Sequence, residues 1–185
     1  MNPYSDGEEV QGVAFLKIHE YGDQVLRNLS QPVANISQEH RQLIDDMIDT
    51  MYQEPGVGLA APQVGINLRI IVIDSVPSAA DKKPMALINP VITGASSDTI
   101  VMEEGCLSIP GFRGEVRRPR LVSLKALDLN GQELILDANE IQSRILQHEI
   151  DHLDGILFVD RLNIVRRDIA KRKLKKRLLK GEFAS

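Results

Sequence analysis

His148-Glu149-Ile150-Asp151-His152 constrains this 185-residue chain more than any other five residues. On an α-helix, imidazoles at i and i+4 share one face. The carboxylate beside the first imidazole reaches the same space. Such a trio can hold a divalent metal and set a general base beside its water. Ile141 and Ile145 continue that face toward the N-terminus. A face both apolar and metal-binding turns inward, so the remaining elements must pack around this helix.

Two histidines leave the site one ligand short. One class of zinc peptidases takes the third from downstream, in HExxHxxGxxH. Here Gly155 is in place, but Phe158 occupies the third-histidine position and cannot ligate. Among the downstream acids, Asp160 and Asp168 lie near or in a strongly basic segment, where neutralising cations is the simpler role. Upstream, 42 residues before His148, stands the only cysteine, Cys106. A thiolate with two imidazoles makes three protein ligands and leaves a fourth position open, as catalytic sites do. A buried structural thiol is the plainer role for Cys106. Its setting, Glu104-Gly105-Cys106-Leu107-Ser108-Ile109-Pro110-Gly111, reads as a shaped loop. His19 and His40 read as surface residues. An HExxH metallopeptidase stays open as the alternative function.

A third segment, Gly56-Val57-Gly58-Leu59-Ala60-Ala61-Pro62-Gln63, lets other atoms approach the backbone closely. It lacks the lysine and the strand–helix context of a phosphate loop. It is either a tight turn under a strand or a substrate-lining strand that ends in a polar donor, Gln63.

The pattern elsewhere predicts an α+β domain with antiparallel or mixed sheet around the central helix, and helices toward both chain ends. Leu43, Ile44, Met47, Ile48 and Met51 follow Ser37 at helical spacing, with Pro55-Gly56 as the stop. Arg69–Asp74 reads as a buried strand, and Pro84–Thr93 as a strand interrupted at Asn89-Pro90. Leu121–Leu129 and Gln132–Leu136 flank Asn130-Gly131, a hairpin signal. Asp137 and Glu140 predict the start of the motif helix, and Gly155 its end.

The net charge of −4 conceals an asymmetry. Residues 161–180 hold ten Lys/Arg and one acid, or +9, whereas the rest holds 12 basic and 25 acidic groups, or −13. The segment predicts a cationic helix, either solvated on an acidic body or an arm for an anionic partner such as RNA. A lone cysteine, no membrane-length apolar run and an acidic start point to a cytoplasmic protein. The expected organisation is a flexible tail at 1–12, a catalytic domain at 13–163 and the basic helix at 164–185.

Taken together and in order, GxGxAAxQ (56–63), EGCLS (104–108) and HExDH (148–152) make the chain resemble the peptide deformylase family, over about His19–Leu162. The resemblance implies hydrolysis of the N-formyl group from the initiator methionine of nascent polypeptides. It implies Cys106, His148 and His152 as ligands of one divalent metal, natively Fe2+, with Zn2+, Ni2+ or Co2+ as substitutes. Glu149 would be the general acid–base, and Gln63 and the Leu107 N–H the oxyanion donors. The substrate would lie along Gly56, Val57 and Gly58, its methionine side chain near Val57, Ile141 and Ile145. Arg113 matches an arginine near the substrate backbone, or else pairs with Glu103 or Glu115. Arg144 is expected at the pocket rim. The basic helix, residues 164–180, would dock on the ribosome near the exit tunnel. The protein is expected to be monomeric and free of membranes.

Overall fold

The structure is a computed structural model that describes residues 15–54, 56–74 and 82–183; the expected tail at 1–12 lies outside them. Helix α1 (Gln38–Gln53) starts where Ser37 predicts. The Ser37 backbone N–H donates to His40 Nδ1 at 3.1 Å, so His40 is a capping group rather than a spare surface imidazole. Strands β1 (Gly58–Ala60), β2 (Ile70–Ile73), β3 (Met85–Ala95), β6 (Leu121–Leu127) and β7 (Glu133–Asn139) form one antiparallel sheet in the order β1-β2-β3-β6-β7. Strands β4 (Thr99–Glu104) and β5 (Gly114–Pro119) form a separate antiparallel pair. Helices α2 (Glu140–Leu153) and α3 (Ile164–Leu179) follow. The sheet is thus antiparallel rather than mixed; the described residues add a single parallel bridge, Gln31 to Leu68.

Every residue of β2 is buried because both faces are covered. Ile71 and Ile73 pack with Leu146, Ile150 and Leu153 of α2, and Ile70 and Val72 with Ile44, Met47 and Met51 of α1. A third core joins Phe158 and Leu162 to Ala170 and Leu174 of α3. At the predicted interruption in β3, Asn89 takes a left-handed φ of 53° and the pairing with β6 shifts register.

The start of α2 departs from expectation. Asp137 lies within β7, where Ser123 Oγ donates to it at 2.5 Å, and Asn139 is the residue that precedes the helix. Strand pairing carries the chain to Asn139, overriding the local capping signal. The end is as expected: Gly155 has φ 70°, and a Cβ there would sit 2.6 Å from the Arg27 carbonyl oxygen. Strand β1 pairs with β2 on one side only and sits at the sheet edge. Among the described residues no helix is long and apolar enough to cross a membrane.

Candidate metal centre and substrate cavity

The loop after β4 carries Cys106 to the inward face of α2. One donor atom from each of Cys106, His148 and His152 lies within 4.8 Å of the others, and this is the only such group found among the described residues. Cys106 Sγ is 3.2 Å from His152 Nε2. His148 Nδ1 bonds Glu104 Oε2 at 2.9 Å, which reserves Nε2 for a ligand. One sulfur and two imidazole nitrogens, converging and braced from behind by a carboxylate, fit a first-row transition ion. Phe158 is 1% exposed and stacks on His148 with ring centroids 6.0 Å apart, so the downstream position packs the site and does not ligate. His19 stays outside it, with Nδ1 2.5 Å from Asp23 Oδ2.

Glu149 is 4% exposed, and its Oε2 has no hydrogen-bond partner. Burial pushes its carboxyl up to about 7. It abuts Gly58 so closely that a Cβ there would lie 2.4 Å from Oε1. Burial also disfavours charge on both histidines. At His148 the contacts with Cys106 and Glu104 outweigh it and raise the pKa. At His152 burial and the neighbouring His148 lower it. Gln63 is fixed from one end. Its Oε1 accepts the Ala60 N–H at 2.9 Å, which turns Nε2 toward Ser108 Oγ at 3.1 Å and Cys106 Sγ at 3.4 Å. The backbone braces both segments, since the His19 N–H donates to the Gln63 carbonyl and the Tyr21 N–H to that of Ser108.

A cavity of about 1060 Å³ opens over these groups. Gly56, Val57, Gly58, Leu107, Ile141 and Ile145 contribute to its lining. Ile145 is 6% exposed at depth, whereas Ile141 is 47% exposed, nearer the mouth than an inward position implies. Arg113 also lines it, with an exposed side chain 3.4 Å from Glu103.

The chain matches the sequence model of polypeptide deformylases over residues 15–168. Peptide deformylase 2 of Gloeobacter violaceus is 51% identical over 147 residues, covering 80% of this chain and 79% of that protein. A plant peptide deformylase crystal structure superposes with a TM-score of 0.86 at 37% identity, over 94% of this chain and 95% of that one. A class I type b peptide deformylase from Acinetobacter baumannii, in its Met-Ala-Ser-bound crystal structure, gives 0.76 at 40% identity, over 81% and 99%. This chain belongs to the polypeptide deformylase family.

Residues of all three motifs line this site, and buried charged side chains stand behind them. Arg144 is not at the rim. It is 6% exposed, with Nη1 bonded to Glu104 Oε1 and to the Val116 carbonyl and Nη2 to the Ile100 carbonyl. Glu104 also receives Arg118 Nε at 2.7 Å and Nη2 at 3.0 Å. Burial opposes charge on Glu104, but His148 and Arg118 outweigh it and hold the carboxyl well below the usual range. Asp151 accepts Arg118 Nη1 at 2.8 Å. One signal was available in the sequence: Arg118 lies two residues after Val116, on the inward side of β5, and an inward cation requires buried anions.

Proposed function

We infer that this chain hydrolyses the N-formyl group of formylmethionyl peptides, releasing formate and a free amine. One observation carries the reading most: the buried Glu149 carboxylate, beside His148 of the Cys106–His148–His152 cluster, has one oxygen, Oε2, without a partner and the other, Oε1, against the sheet-edge glycine Gly58. The Acinetobacter baumannii relative with Met-Ala-Ser, a peptide that begins with unformylated methionine, supports the same substrate class.

Cys106, His148 and His152 hold one divalent metal, Fe2+ natively, with Zn2+, Ni2+ or Co2+ as replacements. When bound, the ion supplies Lewis acidity and lowers the pKa of water. The peptide lies extended beside β1, hydrogen-bonding through Gly56–Gly58 as an added strand, with Arg113 near its backbone. The methionine side chain enters the cavity against Val57, Ile141 and Ile145. Glu149 takes a proton from the attacking water, whose oxygen bonds to the formyl carbon. The Leu107 N–H and Gln63 Nε2 stabilise the oxyanion that develops. Glu149 then gives its proton to the amine as the C–N bond breaks.

The charge of the helix at 164–180 supports docking of the protein, as a cytoplasmic monomer, on the ribosome near the exit tunnel. Lys175 and Lys176 are exposed on α3 and Arg167 is half-buried there, and among the described residues no ion pair on these three side chains is found. The chemistry is tested by anaerobic incubation of the iron-loaded protein with formyl-Met-Ala. One formate per Met-Ala formed, with the internal peptide bond intact, is the expected result. Cleavage between Met and Ala would make the protein an HExxH peptidase instead.

A further inference from the structure

A chain of charged contacts runs from the root of the basic helix to a candidate metal ligand. Arg161 stands three residues before α3 and outside all three motifs. Its Nη2 bonds Asp151 Oδ1 at 2.6 Å and its Nε bonds Asp151 Oδ2 at 3.1 Å. Asp151 Oδ2 also takes Arg118 Nη1, and Arg118 grips both oxygens of Glu104 with its other two donors. Glu104 Oε2 in turn holds His148 Nδ1.

We propose that Arg161 is a positioning residue for the metal centre, acting on His148 through Asp151, Arg118 and Glu104. The side chains of Glu104, Asp151 and Arg118 are each at most 8% exposed, so their geometry is fixed by one another and not by water. Among the described residues Arg161 supplies the only donor found on Asp151 Oδ1. Its two-pronged grip fixes the rotation of the Asp151 carboxylate, a constraint that a lysine's single ammonium cannot reproduce. With Arg161 removed, Oδ1 loses its partner and the carboxylate is held through Oδ2 by Arg118 alone. Arg118 is then no longer drawn to one orientation, and neither is the Glu104 carboxylate that aims the His148 ring. The same residue roots α3, so whatever engages that helix sits one side chain from the chain of contacts.

The inference rests on the metal site proposed above, and the test separates the two. Cobalt-loaded protein is mixed with excess chelator, and loss of its visible ligand-field absorption gives the metal dissociation rate. A direct outer partner of a metal ligand typically changes affinity 10- to 100-fold; three contacts further out, Arg161→Ala is expected to speed release by about 3- to 10-fold. Arg161→Lys, which keeps the charge, should fall between that variant and the parent. Arg166→Ala breaks an exposed pair with Glu115 near the same helix start and should leave the rate unchanged. In an Asp151→Asn background, where one oxygen still accepts from Arg161 but the charge and the second acceptor are gone, the effect of Arg161→Ala should shrink, because it acts only through that side chain. Release within twofold of the parent in both Arg161 variants, or an undiminished effect in the Asp151→Asn background, would overturn the inference. Failure of the parent protein to bind cobalt at all would instead remove the metal site.

Discussion

Gly58→Ala separates catalysis from folding at a single atom. The added Cβ would sit 2.4 Å from Glu149 Oε1, 2.8 Å from Cδ and 2.9 Å from Cγ. A carbon–oxygen contact becomes tolerable near about 3.3 Å, so the carboxylate must withdraw by roughly 1 Å. The obstacle is the end of a side chain and not backbone, so the fold can adapt; overpacking of this kind typically costs about 1–3 kcal/mol. The chemistry adapts less well, because a misplacement of about 1 Å at a reacting group costs on the order of 100-fold in rate. That corresponds to about 2.7 kcal/mol of transition-state stabilisation. The assay is formate release from formyl-Met-Ala across a range of substrate concentrations, with metal content and thermal unfolding measured on the same sample. The expected outcome is a kcat about 100-fold lower with one metal still bound and a cooperative transition retained. A kcat within threefold of the parent would refute the placement of Glu149 against β1.

Arg144→Met removes a buried cation and leaves Glu104 one partner short, so thermal unfolding should show a loss on the order of 3 kcal/mol; an unchanged transition would mean that this pair is not buried in solution. Asp160 bonds Arg27 at 2.5 Å, and although burial works against it, this contact holds its pKa below the ordinary 3.8. Its contribution to stability is therefore complete above that value and lost as pH falls through the lowered one; urea titrations at a series of acid pH values should show a shallower decline for Asp160→Asn. Replacing Arg167, Lys175 and Lys176 together by glutamine should weaken co-sedimentation with ribosomes and flatten its salt dependence, and unchanged sedimentation would remove the helix as the docking arm. This substitution is preferable to deleting the helix, since Ala170 and Leu174 are buried against Phe158 and Leu162.

The site's inner face was legible because its residues follow local periodicities. His148, Glu149 and His152 are fixed by helical spacing, and the Asn130-Gly131 hairpin, the buried run of β2 and the Gly155 stop are likewise short-range. What eluded the sequence is set by long-range register. Glu104, Arg118, Asp151 and Arg161 meet only because β4 pairs with β5 beneath α2, and no spacing along the chain encodes that meeting. Arg144 was expected at the rim, yet it is buried, because its anion, Glu104, lies 40 residues away and only the fold brings them together. Asp137 failed as a helix-start signal for the same reason: the partner strand β6 extends β7 two residues past it. Gly58 was read as a place of close approach, but only the folded chain shows that the approaching group is Glu149.

In the mechanism proposed above, Glu149 moves the proton while other residues hold the metal. Glu149→Gln keeps the shape and removes the base, so formate release by the anaerobically loaded variant, with metal analysis of the same sample, tests it directly. Turnover is expected to fall by about 10²- to 10⁴-fold or more with metal still stoichiometric. Turnover close to that of the parent, or metal lost in step with activity, would contradict it.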